Sequence, residues 1–363
     1  MLYEAFDECH VTILSANPQF VNEYFHDRSN SQYQIIKPKK DFLKLLFQIA
    51  TCDLVIFGGA VPFFDQYKQA LNMAMIVFIA RIFNKPYYLW CTSSYQIRRK
   101  INRSIYRKVI AGAKKITCRD KYTVNIFSSL GIKQEPEIVQ DPVFTLHNID
   151  YEDAARLMSK YVPASRRSRL FALTPRTLRG RSVEAQTHYN EKTAKEIQHQ
   201  FEVYSIAFDW LVENGFTPIF IPMNTYPPDD DRIVAKQITE NSKWGKQAII
   251  IDEIVMPRTA PGLYSVCEGS LVSRVHGSIT SFLGECPPIM YGFETKHKGI
   301  MESMELDALI FDIGREPQAI IPMLEFLENN RISIKEKMQI NKKLFDEKAH
   351  IPCEYINGFL GNM

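Results

Sequence analysis

A chain of 363 residues with 45% hydrophobic and 23% charged positions is long enough for two domains with full cores. A formal net charge of +3 is too small to argue for nucleic acid, and none is expected as a partner. Seven cysteines without a C-x-x-C pair speak against a disulfide scaffold or a zinc ribbon and suit a reducing compartment. Met1 to Ala5 has neither the basic segment nor the apolar core of a secretory leader. The longest apolar run, Met73 to Ala80, is far short of a membrane span. A cytoplasmic protein is expected, with contact at the membrane inner face left open.

Short β-branched and apolar runs alternate with longer amphipathic stretches. Strands are predicted at His10 to Ser15, Asp53 to Phe57, Lys85 to Trp90 and Lys115 to Arg119. Helices are predicted over Gln69 to Phe83 and Tyr122 to Leu130, the second closed by Gly131. A polar stretch, 146–168, places a domain boundary near 165. The pattern then restarts with strands at Leu170 to Thr174, Phe216 to Pro222, Ala248 to Asp252, Gly269 to Ser273 and Pro288 to Tyr291, and a helix at Glu202 to Glu213. Residues 177–196 read as a mobile polar loop, and Ile332 to Lys348 as a charged helix. Near-continuous apolar strands separated by helices mean parallel sheets covered on both faces, an α/β fold. The expected domains are 1–165 and 166–330, with 331–363 as a helix packing back on the first. Ligands of such sheets bind at the carboxyl ends of the strands.

The most informative stretch is Leu271 to Gly277, with Lys296 twenty residues after His276. Arg274 and His276 directly follow a predicted strand, and Gly277-Ser278 is expected to open a helix. An arginine beside a helix start can clamp an anion while an imidazole moves a proton. The alternative is a surface turn with a structural histidine. Lys296, just past the next strand, can reach the same place as a point charge, or belong to a solvated Lys-His-Lys run. Gly58 and Gly59 resemble half of a phosphate-cradling loop, and Asp65 can take a hydroxyl proton or cap a helix. Arg119 and Arg176 trail strands and serve either as anion contacts or as salt-bridged arginines. Asp229-Asp230-Asp231 reads as a helix N-terminus, and no metal site is expected. From Gln96 to Lys115 the chain is basic without an acid, with Ile97, Ile101, Ile105 and Val109 every four residues. An amphipathic basic helix there admits contact with anionic lipid or a diphosphate-linked acceptor, or is a solvated face.

With these residues located, the chain resembles the polysaccharide pyruvyl transferase family. The resemblance is carried by Asp53 to Gly59 with Asp65, Ile116 to Asp120, Gln140 to Phe144, Ile219 to Met223, and Ser273-Arg274-Val275-His276 through Pro287. The aromatic-x-x-Lys-x-x-Gly pattern at Phe293, Lys296 and Gly299 completes it. It implies two Rossmann-like domains of the glycosyltransferase-B arrangement, with the acceptor sugar on the first and phosphoenolpyruvate on the second. It also implies transfer of pyruvate from phosphoenolpyruvate to a sugar of a polysaccharide, or of its lipid-linked precursor, as a cyclic ketal. Arg274, His276 and Lys296 map to the family's arginine, histidine and lysine, and Arg119 and Arg176 to anion contacts. His276 is expected as general acid and Asp65 as base, with no cofactor.

Three departures stand out. The family's initial strand and Gly-Asn-x-Gly-Asp-Glu loop have no counterpart here, so the first sheet is expected to lack a strand. Ala60 replaces a glycine, and Cys91 to Tyr95 stands where a Gly-Pro loop is usual. The rivals are a nucleotide-sugar glycosyltransferase, needing a late carboxylate such as Glu285 or Glu294, and a non-catalytic binding relative in polysaccharide assembly. Acceptor sugar, ketal stereochemistry and oligomeric state are not encoded legibly. Acceptor contacts are expected from loops that include 177–196, with His188 and Tyr189.

Overall fold

The computed structural model describes all of the chain except 1–9, 16–17, 19–20, 22–32, 39, 59–61, 177–190, 227–228, 293 and 362–363. Gly59, Ala60, His188, Tyr189 and Phe293 therefore lie outside the described residues. The chain divides into two units, 1–145 with 347–363, and 146–346.

In the first unit, β1 (Val11–Leu14) pairs in parallel with β2 (Tyr33–Ile36). Helix α1 (Phe42–Thr51) leads to β3 (Val55–Gly58). There follow α2 (Tyr67–Ile82), β4 (Tyr87–Thr92), α3 (Lys100–Ala111), β5 (Lys115–Cys118), α4 (Lys121–Ser129) and β6 (Glu137–Ile138). The four strands β3-β4-β5-β6 form a parallel sheet in that order. Strand β4 is buried throughout, because alternate side chains serve two layers. Tyr87 and Leu89 pack with Val77, Tyr106, Ile116 and Phe127. Tyr88 and Trp90 pack instead with Cys353 and Ile356, from the end of the chain. Lys115 and the Tyr355 hydroxyl both bond Glu137, and the Lys115 ammonium sits 3.6 Å from the centre of the Tyr355 ring. These contacts fix the C-terminal segment to the edge of the sheet.

The second unit begins with α5 (Tyr151–Tyr161) and β7 (Leu170–Thr174). Then come α6 (Glu191–Glu213), β8 (Thr217–Phe220), α7 (Asp231–Glu240), β9 (Ile249–Ile250), α8 (Ala260–Ser265) and β10 (Cys267–Val272). Helix α9 (Val275–Leu283), β11 (Pro288–Gly292), α10 (Thr295–Ser303), β12 (Ile310–Asp312) and α11 (Ile320–Leu360) complete it, α11 giving its last turns to the first unit. All six strands are parallel, in the order β12-β11-β10-β7-β8-β9. This is the doubly wound order, and its reversal falls between β7 and β10.

Several expected boundaries move. The one near 165 falls inside the second unit, because polar 146–168 contains α5, whose Ala154, Leu157 and Met158 are buried. The expected loop 177–196 is helical from Glu191 onward, and the C-terminal helix is longer than Ile332 to Lys348. Helix α9 starts at Val275, not at Gly277-Ser278, so the glycine is inside its first turn. In α3 the buried face is Asn102, Tyr106, Val109 and Ile110, while Ile101 is exposed. The four-residue spacing of Ile97, Ile101, Ile105 and Val109 overlaps that face without coinciding with it, since 3.6 residues per turn rotates such a row around the helix.

Candidate functional site

The second unit's switch point is built from residues that leave adjacent strands at their carboxyl ends. Arg176 follows β7, Arg274 and His276 follow β10, Glu294 and Lys296 follow β11, and Asp229 to Asp231 follow β8. The backbone at the reversal is locked by buried hydroxyls. Ser273 N donates to Thr174 O at 2.9 Å, and Ser273 Oγ meets Tyr204 OH at 2.7 Å and Gln200 Nε2 at 3.0 Å. The same Tyr204 hydroxyl also donates to Thr174 O and Leu271 O. Burial holds the Tyr204 phenol well above its ordinary pKa, so it stays a neutral strut. Gln200 was missed in the sequence because the helix was expected to begin only at Glu202, and Tyr204, inside that expected helix, carries no local signal of its hydroxyl's distant partners.

Arg274 is the N-cap residue of α9. Its Nε and Nη2 donate to both carboxylate oxygens of Asp231, at 2.6 to 3.1 Å, and Nη2 also donates to Asp229 O at 3.1 Å. Asp231 Oδ2 further accepts from the amides of Met223 and Asn224. Since β7 lies between β8 and β10, this pair bridges over the end of β7. Burial raises the Asp231 pKa against the opposing pull of Arg274. A guanidinium held this far from water needs a counter-charge, which is why an acid stands beside it. Arg274 is thus a braced arginine whose outer edge remains partly exposed, not an uncompensated anion clamp.

A second pair interleaves with the first. Glu294 Oε2 lies 2.7 Å from Lys296 Nζ and 3.8 Å from Arg176 Nη1, with all three side chains nearly buried. Strand β10 lies between β7 and β11, so Arg176 and Glu294 meet over the end of β10, where Arg274 and His276 emerge. Glu294 is the N-cap residue of α10, and its amide donates to the buried ring of His297 at Nδ1. The structure therefore brings Arg176, Arg274, His276 and Lys296 to one sheet edge and adds two acids, Asp231 and Glu294. His276 is exposed in the first turn of α9, whose N-terminal amides and dipole favour an anion alongside.

Glu285, the other late carboxylate named for the glycosyltransferase rival, precedes β11 and so belongs to the opposite edge, bonded to Gln339 and Lys342. Among the acids of 229–231, Asp230 caps α7 through the Arg232 amide and chelates the Arg232 side chain. This is the helix-start role expected of the run.

The remaining candidates are in the first unit. Arg119, at the end of β5, is buried: Nε donates to Ser93 Oγ at 2.5 Å and Nη1 to Asp141 Oδ2 at 2.6 Å. Ser93 Oγ donates to Asp120, which caps α4 through the Thr123 amide. Cys91 has a left-handed backbone, φ 48°, at an irregularity in the β4–β5 ladder, where Thr117 Oγ1 receives its amide. The Cys91 to Tyr95 departure thus forms a polar core with Arg119 as its buried cation. Asp65 accepts from the amides of Arg98 and Arg99 and from Asn102 Nδ2 at 2.7 Å, so it caps the start of α3. Gly58 closes β3, where an added Cβ would come within 3.3 Å of Trp90 Cβ. Among the described residues no helix is long and apolar enough to cross a membrane.

A two-unit α/β fold of this kind is shared with known sugar-nucleotide enzymes. The chain is similar to the S. aureus MnaA–UDP structure (TM-score 0.57, 13% identity, 93% of this chain and 85% of that one). It is similar to UDP-GlcNAc 2-epimerase from Methanocaldococcus jannaschii (0.56, 13%, 89% and 86%). A trehalose-6-phosphate structure from E. coli bound with UDP-2-fluoro glucose gives 0.53 at 12% identity, over 95% and 83%. At such identities the likeness shows the fold, two Rossmann-like domains of the glycosyltransferase-B class. No curated protein sequence matches. The sequence model of one family, polysaccharide pyruvyl transferase, matches residues 1–294, and the chain belongs to that family. It is accordingly a sugar-modifying transferase of polysaccharide biosynthesis. Arg274, His276 and Glu294 fall within the match, and Lys296 two residues beyond it.

Proposed function

We propose that the chain transfers pyruvate from phosphoenolpyruvate to a saccharide of a polysaccharide, or of its lipid-linked precursor, forming a cyclic ketal. The observation that supports this is the switch-point edge, where Arg176, Arg274 and Lys296 leave neighbouring strands at the same ends as His276, exposed in the first turn of α9. Phosphoenolpyruvate has two anionic groups and an enol carbon that must receive a proton. His276 donates a proton to the methylene carbon. One sugar hydroxyl attacks the central carbon, phosphate departs, and a second hydroxyl closes the ketal with release of a further proton. Arg274 and Lys296 hold the anionic groups and stabilise the leaving phosphate, each aimed by its acid partner. No cofactor or metal enters this scheme.

The nucleotide-sugar rival calls for an available carboxylate on the second domain. Glu294 is engaged by Lys296 and Glu285 is at the opposite edge, which favours the enol-phosphate donor. The assay is phosphate release from phosphoenolpyruvate in the presence of bacterial saccharide acceptors. His276→Ala should lower turnover by about 10²–10⁴-fold while leaving phosphoenolpyruvate affinity largely intact. Unchanged turnover would remove His276 from the mechanism. Release by neither protein with any acceptor, with UDP-sugars binding instead, would return the chain to the glycosyltransferase reading.

A further inference from the structure

Helix α2 is apolar on two opposite sides. Ala70, Met73 and Val77 face the core of the first unit. Leu71, Met75, Phe78 and Ile82, spaced at four, three and four residues, form a second stripe that is exposed, with Phe78 at 64% and Ile82 at 62%. A helix apolar all round is ordinarily covered on both sides. Its neighbour α1 packs on it through Leu45, Leu46 and Ile49 against Ile76, Ile79 and Ala80. Beside that seam, α1 presents Leu43 and Phe47, 80% and 64% exposed. The two packed helices thus both carry exposed apolar side chains, in a number that a solvated surface rarely carries without a partner.

The charges of α2 and α3 have one sign, while Asp41 and Asp53 stand at the two ends of α1. Between Asp65 and Asp120 the chain has no aspartate or glutamate. Lys68 and Arg81 on α2, and Lys100 and Lys108 on the adjoining α3, are exposed. Arg81 reaches across to Lys108 O at 3.2 Å, so the basic helix flanks the apolar face directly. A second copy of the chain would bring this surface against itself and oppose cation to cation. An anionic lipid surface supplies what both features require: acyl chains for the aromatic and aliphatic tips, and phosphate headgroups for the cations.

We propose that the α1–α2 face, flanked by the cations of α3, docks the protein on an anionic phospholipid surface. The apolar contact is then made by α1 and α2, with α3 as the electrostatic rim rather than the inserting element. This is independent of the donor assignment in the second unit.

The experiment is co-sedimentation of the full chain with vesicles of phosphatidylcholine and phosphatidylglycerol, against phosphatidylcholine alone, at low and high salt. Binding is expected with the anionic vesicles only, weakening with salt. The F47S/F78S variant should lose about tenfold or more in affinity, from the area each ring buries. The K68E/K100E variant should lose at least as much, since each cation contributes near the surface and each is reversed. Both acids would stand in the first turn of their helices, where negative charge is tolerated, so the fold should persist. Sedimentation with neither vesicle would overturn the proposal, as would binding that both variants leave unaltered. A solution dimer dissociated by F47S/F78S, without vesicle binding, would assign the face to a second copy instead.

Discussion

Arg119 and Arg274 follow parallel strands at their carboxyl ends, each with an aspartate partner, yet they do different work. Arg119 is buried in a closed cluster of Ser93, Asp120 and Asp141. Arg274 keeps an exposed edge, next to an exposed histidine and a helix N-terminus. The same local chemistry thus gives a buried structural pin in one unit and a partly exposed arginine at the candidate site in the other. What separates them is access: the irregular Cys91 turn folds hydroxyls over Arg119, whereas Arg274 stands partly exposed at the β7–β10 reversal, where sheets of this order bind ligands.

Substitutions of the two aspartates sharpen this contrast. Asp141→Ala should be the most damaging change, costing about 3–5 kcal/mol by leaving a buried guanidinium unpaired. Denaturant unfolding measures it, and a loss below about 1 kcal/mol would mean that Arg119 reaches water. Asp231→Asn should act more on function, lowering kcat/KM for phosphoenolpyruvate by about 10–100-fold, equivalent to roughly 1.4–2.7 kcal/mol of lost alignment. If it instead destabilised the fold as much as Asp141→Ala, Arg274 would be a second pin and the contrast would vanish.

A glycine on the second unit's strand β10 and one in the first turn of α9 give a smaller test. A Cβ on Gly269 would approach Phe171 Cε2 to 2.7 Å and Leu327 Cδ2 to 2.8 Å, so Gly269→Ala should cost about 1–3 kcal/mol. On Gly277 the nearest atom would be Val272 Cβ at 3.4 Å, an ordinary contact, so Gly277→Ala should be neutral or stabilise by about 0.5 kcal/mol. Thermal melts compare them, and the reverse order would contradict the placement of Gly277 within α9.

The smallest effect is in the first unit. The Tyr355 hydroxyl, and then Lys115, hold the Glu137 carboxyl below its ordinary 4.5. Its stabilisation is therefore complete above that value and fades as pH falls through the lowered one. Glu137→Gln should flatten this part of the acid limb by well under 1 kcal/mol, the pair being partly exposed. An unchanged slope would show that the C-terminal segment is held by Cys353 and Ile356 alone.

Much of this was legible in the residues. Buried strands such as Leu170 to Thr174 are continuous apolar runs, and the Arg274–His276 stretch follows one of them. Strands β2, β6 and β12 were not legible, being two to four residues long at sheet edges. Nor were the counter-charges. Asp231 lies 43 residues from Arg274, and only the strand order β10-β7-β8 brings them together. Glu294 reads in the sequence only as a late carboxylate for the glycosyltransferase rival, because its link to Arg176 depends on which strands flank β10. Composition shows that charges exist, while topology decides which cancel.

Calorimetric titration of phosphoenolpyruvate into the wild-type chain, and into Lys296→Ala and Arg274→Ala, tests the donor site most directly. Binding by the wild type, weakened about tenfold or more in each variant, is the predicted result. Affinity unchanged in both variants would contradict a donor site at the β7–β10 switch point.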